Sequence, residues 1–178
     1  MGFDIYGVNP VMHEINEDKY PTYNKYDGMD WDEKHKLFDE DKELANKYLE
    51  ELSEREDENP GIYFRNNVWW WRRLWQFTCI ECDDFLDHDD IQGGDSNSGH
   101  VITEEKASAI AKRLQERVDD GSAAEFERQV NEYIDGVEKD DNGWPKSDND
   151  FMANYPFTVG NVQRFIEFCS ESGGFEIC

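Results

Sequence analysis

Residues 63 to 86, YFRNNVWWWRRLWQFTCIECDDFL, hold four of the six tryptophans of the chain within seven positions. Indoles bury more area than most side chains, so a group this dense needs packing partners on several sides. At helical spacing Val68, Trp71, Trp75, Thr78, Cys82 and Phe85 form one apolar stripe, and Trp70, Leu74 and Phe77 widen it beyond the arc of a surface helix. The pattern predicts a central helix enclosed by everything else. Asn66 or Asn67 stands just before the run, where a side-chain amide accepts from the first free backbone N–H groups. At the other end Asp83 and Asp84 meet the negative pole of the helix dipole, so something else in the fold must favour them.

A chain of 178 residues suits one domain, and its eleven Phe and eight Tyr supply a packed interior despite the low mean hydropathy. The net charge of −24, from 42 acidic against 18 basic residues, disfavours binding along a nucleic-acid backbone. Only Arg65, Arg72 and Arg73 lie close together as a basic group. Such acidity reads as a solvated surface, with imitation of DNA phosphates as the sharper alternative. Four cysteines, the lack of a signal peptide and the lack of a membrane-spanning apolar run point to a reduced cytoplasm and no membrane partner.

Around the central helix the chain reads as a helix-dominated α+β domain. Phe3, Ile5 and Gly7 alternate with Asp4 and Tyr6 as a strand, and Phe175 to Ile177 form a second; pairing the two makes a small sheet from the chain ends. Residues 11–60 look like an insertion, made of a long loop (11–31) packed down by Tyr20, Tyr23, Tyr26 and Trp31 and one surface helix (32–57). Ile62 to Phe64 suggest a short strand. The glycine-rich acidic stretch 87–100 reads as a loop that is mobile or bound to something. Thr103 caps a helix with Ala107, Ile110, Leu114 and Val118 inward. Ser122 and Glu125 have capping-box spacing before a stripe of Phe126, Val130, Tyr133, Ile134 and Val137. These two helices should form a hairpin. Residues 138–156 are again acidic loop, anchored by Trp144 and Pro145, and Thr158 caps a last helix that Gly173 ends.

Arg65, Asn66, Asn67 and Arg72, interleaved with Trp69 and Trp70, combine guanidinium forks and amides with flat aromatics, as a site for a nucleotide or other anionic ring compound requires. The plainer account pairs Arg72 and Arg73 with Asp83, Asp84 or other surface acids and assigns the rings to the core. Cys79 and Cys82 have the spacing of a redox pair or half a zinc site, yet in a helix they read as core thiols. Asp87, His88, Asp89 and Asp90 offer ligands for a hard cation in the 87–100 loop. His13, His35, His88 and His100 have no recognisable nucleophile partner, Ser96 and Ser98 near His100 being too weak a signal for a dyad, so no catalytic residue is assigned and no cofactor is implied.

The opening MGFDIYG, the segment YFRNNVWWWR followed by LW, and the ending NVQRFIEFCSESGGFEIC resemble a family of small uncharacterised proteins of phage and prophage genomes. The likeness covers about two thirds of the chain; Arg73 stands where proline is common in that family, and residues 11–60 depart from it. The resemblance implies a virus-encoded protein of the host cytoplasm and carries no activity. Together these readings favour a non-catalytic accessory protein that binds a small anionic ligand or a host protein. The alternatives are an acidic inhibitor of a host protein, as a DNA mimic or by docking to a basic partner, and a metal-dependent enzyme using the 87–100 loop.

Overall fold

The computed structural model describes residues 2–178, apart from the side chain of Asn149, and separates into two compact units. Residues 2–11 and 61–178 form the larger one; residues 12–60 form the other.

In the larger unit four strands make one antiparallel sheet in the order β2-β1-β4-β3. β1 (Gly2–Gly7) runs between β2 (Tyr63–Asn67) and β4 (Phe175–Ile177), and β3 (His100–Ile102) closes the far edge. The chain ends meet as the alternation predicts: Ile5 stands opposite Ile177, and Gly7 opposite Phe175. Period-two alternation places Phe3, Ile5, Phe64, Ile102, Phe175 and Ile177 in the core. Gly173, at φ +59°, turns the chain into β4, and a Cβ there would lie 2.1 Å from the Asn9 carbonyl oxygen.

The central helix, α4 (Val68–Glu81), is a single unbroken helix that starts from Asn67. Trp71, Leu74, Trp75, Phe77 and Thr78 are enclosed, and Trp71 stacks on Phe3 at 5.5 Å and on Trp75 at 5.4 Å between ring centroids. A buried indole still needs an acceptor for its N–H. Both find one in α5 (His88–Gly94): Trp71 donates to the Gly94 carbonyl at 2.7 Å and Trp75 to that of Ile91 at 3.1 Å. A Cβ on Gly94 would stand 1.9 Å from the Trp75 ring, so only glycine allows this approach.

The 87–100 stretch is therefore not the loop its composition suggests. Asp87 accepts from the N–H groups of Asp89 and Asp90, and the Asp90 carboxylate returns a bond to the Asp87 N–H, a complete capping box written without Ser, Thr or Glu. Helices α6 (Glu104–Asp119), α7 (Ser122–Gly136) and α8 (Val159–Glu171) complete the unit, with Thr103 and Thr158 capping α6 and α8. At α7 the expected capping box does not form: Gly121, at φ +84°, occupies the cap, Asp120 accepts from the Ser122 N–H, and Glu125 instead binds Arg128 and Gln129. Residues 148–154, expected as loop, form a 3-10 helix.

Asp84 beyond the end of α4 and Arg72 and Arg73 within it all find partners, but not one another. Asp84 is favoured at the helix end by Arg113 from α6, which grips it through both carboxylate oxygens at 3.0 and 2.9 Å. Neither Arg72 nor Arg73 reaches it. Arg73 is buried and donates to the carbonyls of Tyr155 (3.2 Å) and Met152 (3.0 Å) and to Gln76, fastening α4 to the 148–154 turn.

The 12–60 unit is more helical than expected. After a 3-10 turn at Glu17–Lys19 come α1 (Pro21–Tyr26), α2 (Trp31–Glu40) and α3 (Lys42–Asp57). Pro21 opens α1 where its missing N–H costs nothing, and Asp30 caps α2, so the Asn, Gly and Pro of 11–31 punctuate helices rather than a loop. Asp41, extended at φ −126°, ends α2 and caps α3 through the Leu44 N–H, which splits the single helix expected over 32–57. Tyr20 is buried as expected; Trp31 is not, at 71% exposed.

Candidate functional site

β2 runs straight into α4, so Arg65, Asn66 and Asn67 stand in a row where a strand becomes a helix. The N-terminus of α8 lies against β2 from the other end of the sequence. Between them is a depression of about 440 Å³ lined by Arg65, Asn66, Asn67 and Trp70 on one side and Thr158, Asn161 and Arg164 on the other.

Thus four of the six residues expected to bind ligand are brought together. The other two stand elsewhere. Trp69 joins an aromatic cluster with Tyr155 (5.0 Å), Trp144 (5.8 Å) and Phe151 (6.1 Å), and Arg72 faces Asp95 at 3.6 Å. One turn of helix separates neighbouring side chains by about 100° per residue, so consecutive Trp69 and Trp70 cannot share a face.

The electrostatics of the depression oppose those of the whole chain. Asn67 caps α4 by accepting from the N–H groups of Trp69 and Trp70, each at 3.1 Å, and Thr158 caps α8 by accepting from Asn161. Two helix N-termini therefore border one cavity through their capping residues, Asn67 and Thr158. Arg164 lies over the Phe64 ring at 5.6 Å and has no carboxylate partner among the described residues. Arg65 has only a loose one, Asp4 at 3.5 Å, which also accepts from the Tyr63 hydroxyl. Burial, and then that bond, push the Tyr63 hydroxyl up to about 12, so it stays a donor and adds no charge. Asn66 is buried and donates to the Asn161 side-chain oxygen at 3.1 Å, fixing the two strips of lining to each other. The Asn161 amide donors remain without a protein acceptor among the described residues.

Asn161 and Arg164 were missed because nothing local marks them. Thr158 was readable as a helix cap, and its first turn could have been searched for donors; their meeting with β2 is tertiary.

Most of the other candidate ligands are occupied or shielded. Lys106 bonds both Asp87 (2.8 Å) and Asp90, and His100 Nε2 lies 3.1 Å from the buried Asp90 carboxylate. The Lys106 hydrogen bond holds the Asp87 carboxyl down at about 2. His88 and Asp89 are exposed on α5. Burial pushes the Cys79 and Cys82 thiols up to about 12, far from the reactive thiolate range. Cys82 caps the end of α4 rather than lying within it. Among the described residues no group of three His, Cys, Asp or Glu is placed to hold a metal ion.

No family model, curated protein or solved structure matches this chain.

Proposed function

We propose that the protein is a non-catalytic accessory protein of phage type, working in the host cytoplasm by binding, and that a small anionic ring compound of nucleotide kind occupies the depression between β2, α4 and α8. The observation that carries this reading is the convergence of Arg65, Arg164 and two helix N-termini on one cavity of a chain whose net charge is −24. Arg65 and Arg164 supply charge and the Asn161 amide supplies donors to a phosphate. Trp70 supplies an apolar wall for a ring. A cavity of about 440 Å³ is within the range of small-molecule sites. No described helix is long and apolar enough to cross a membrane, which suits a ligand met in solution.

Titration of the full chain with a mixed set of nucleoside monophosphates, followed by amide NMR, tests it. Saturable shifts at residues 65–70 and 158–164 are expected, weakened about tenfold or more by Arg164→Gln with the spectrum otherwise unchanged. Shifts absent at millimolar concentrations, or insensitive to both Arg164→Gln and Arg65→Gln, would remove the proposal.

A second reading, docking to a basic host protein, draws on a different face. Trp144 and Phe151 are half exposed within the cluster around Trp69, on a segment that carries Glu138, Asp140, Asp141, Asp148 and Asp150. Aromatic faces set among carboxylates suit lysine and arginine side chains. Capture from host lysate that fails already at low salt would count against it.

A further inference from the structure

Within the 12–60 unit, α2 and α3 frame a half-open pocket of about 200 Å³ lined by Trp31, Phe38, Tyr48 and Leu49, with Lys34 at its side. Lys34 is only 8% exposed. Its ammonium donates to the Asp27 carbonyl oxygen at 3.2 Å and to the Tyr48 hydroxyl oxygen at 3.1 Å, and lies 4.8 Å from the centre of the Tyr48 ring. All of these partners are neutral. Asp39, the carboxylate in the cavity lining, is taken by His35 at 3.0 Å and Lys42 at 2.8 Å.

An ammonium removed from water ordinarily sits against an anion, because neutral dipoles only partly replace its hydration. Lys34 has three donors and two acceptors, and no described carboxylate lies within ion-pair distance of it. The Tyr48 hydroxyl, having accepted from Lys34, keeps its own hydrogen and finds no acceptor among the described residues. Two unspent donors, one of them cationic, thus share the wall of an apolar cavity. What they lack is a carboxylate attached to an apolar body.

We infer that this cavity binds a small aromatic monocarboxylic acid, with its ring against Trp31, Phe38 and Leu49 and its carboxylate accepting from Lys34 Nζ and the Tyr48 hydroxyl. The volume of about 200 Å³ admits one ring. The charges of the lining agree: Lys34 and Lys42 outnumber Asp39 in a chain that is otherwise strongly acidic. This site is separate from the depression beside β2 and stands or falls independently of it.

The test is amide NMR on the full chain, titrated with phenylacetate and, in parallel, with phenylacetamide, which has the same shape without the charge. Phenylacetate should move the amides of residues 31–49 saturably at millimolar concentration, and phenylacetamide should bind about tenfold more weakly or not at all. Lys34→Met, which keeps the apolar stem, should abolish that preference. Absence of saturable shifts, equal binding of acid and amide, shifts confined to residues 65–70 and 158–164, or a preference unchanged in Lys34→Met would overturn the inference. Should the variant not fold, the acid-to-amide comparison on the natural chain decides alone.

Discussion

Trp75 and Trp31 belong to the same residue type and meet opposite fates. Trp75, in the larger unit, is 1% exposed, bonded through its indole N–H to Ile91 and packed so closely that its neighbour must be Gly94. Trp31, in the 12–60 unit, stands 71% exposed with His35 as its ring contact. The larger unit buries whole aromatic layers, from Trp71 and Phe165 to Phe168 and Phe175. The 12–60 unit buries amphipathic groups instead: Tyr20, Tyr48, Lys34, Glu51 and Asn59. Its interior is held by polar contacts such as Glu51 accepting from the Tyr23 N–H at 2.8 Å and Tyr20 donating to Glu58 at 2.6 Å. A core of rings is stabilised by area and shape; a core of hydroxyls, carboxylates and one ammonium is stabilised only while each partner is present.

The contrast breaks most visibly at the centre of α4. Trp75→Ala leaves a cavity and deletes a buried hydrogen bond, and should cost about 3–5 kcal/mol in chemical denaturation of the larger unit. Survival with a loss below about 1 kcal/mol would mean that α4 does not organise the core.

Acid should come next, and it acts on the contacts that hold α5. The Asp87 carboxyl is held at about 2 against an ordinary 3.8, chiefly by its hydrogen bond from Lys106. A folded value below the unfolded one gives stability that is present above pH 3.8 and is lost as pH falls toward about 2. Glu125, also held near 2 by Arg128, adds loss over the window between its ordinary 4.5 and that value. Denaturation midpoints should therefore fall as pH drops from 4.5 to about 2. Lys106→Met should flatten the part of that slope due to Asp87; an unchanged slope would show that the Lys106 contact does not form in solution.

The smallest effect is expected at the other tryptophan. Trp31→Ala removes a ring that is mostly in water and should change stability by no more than about 0.5 kcal/mol. A large loss would place Trp31 in a core after all.

Much of the larger unit was legible because its signals are local. The stripe that opens at Val68 (although the helix stops at Glu81 and leaves Cys82 and Phe85 beyond it), the cap at Asn67, the caps at Thr103 and Thr158, and the paired alternations at 3–7 and 175–177 each lie within a few residues of what they determine. The failures have an equally physical source. Asp87 to Asp90 read as an acidic loop because a capping box made from two aspartates has the same composition as a solvated segment. Gly93 and Gly94 read as flexible because their reason, closeness to His100 and Trp75, is tertiary. The 11–31 stretch read as loop because short helices opened by Pro21 and Asp30 have no room to show a period. Of the residues that line the depression beside β2, the strand-side half was visible as a motif, whereas Asn161 and Arg164 lie on a helix that is legible only through its apolar face.

Native-state hydrogen exchange, residue by residue, tests most directly the claim that the fold is organised around α4. Amides of α4, β1, β4 and α8 should be the slowest in the chain and exchange only with global opening of the larger unit, while those of α1 and α2 exchange faster through local opening. If the α4 amides instead exchange as fast as those of residues 21–40, the tryptophan segment is not the enclosed centre described here, and the depression built on its N-terminus loses its foundation.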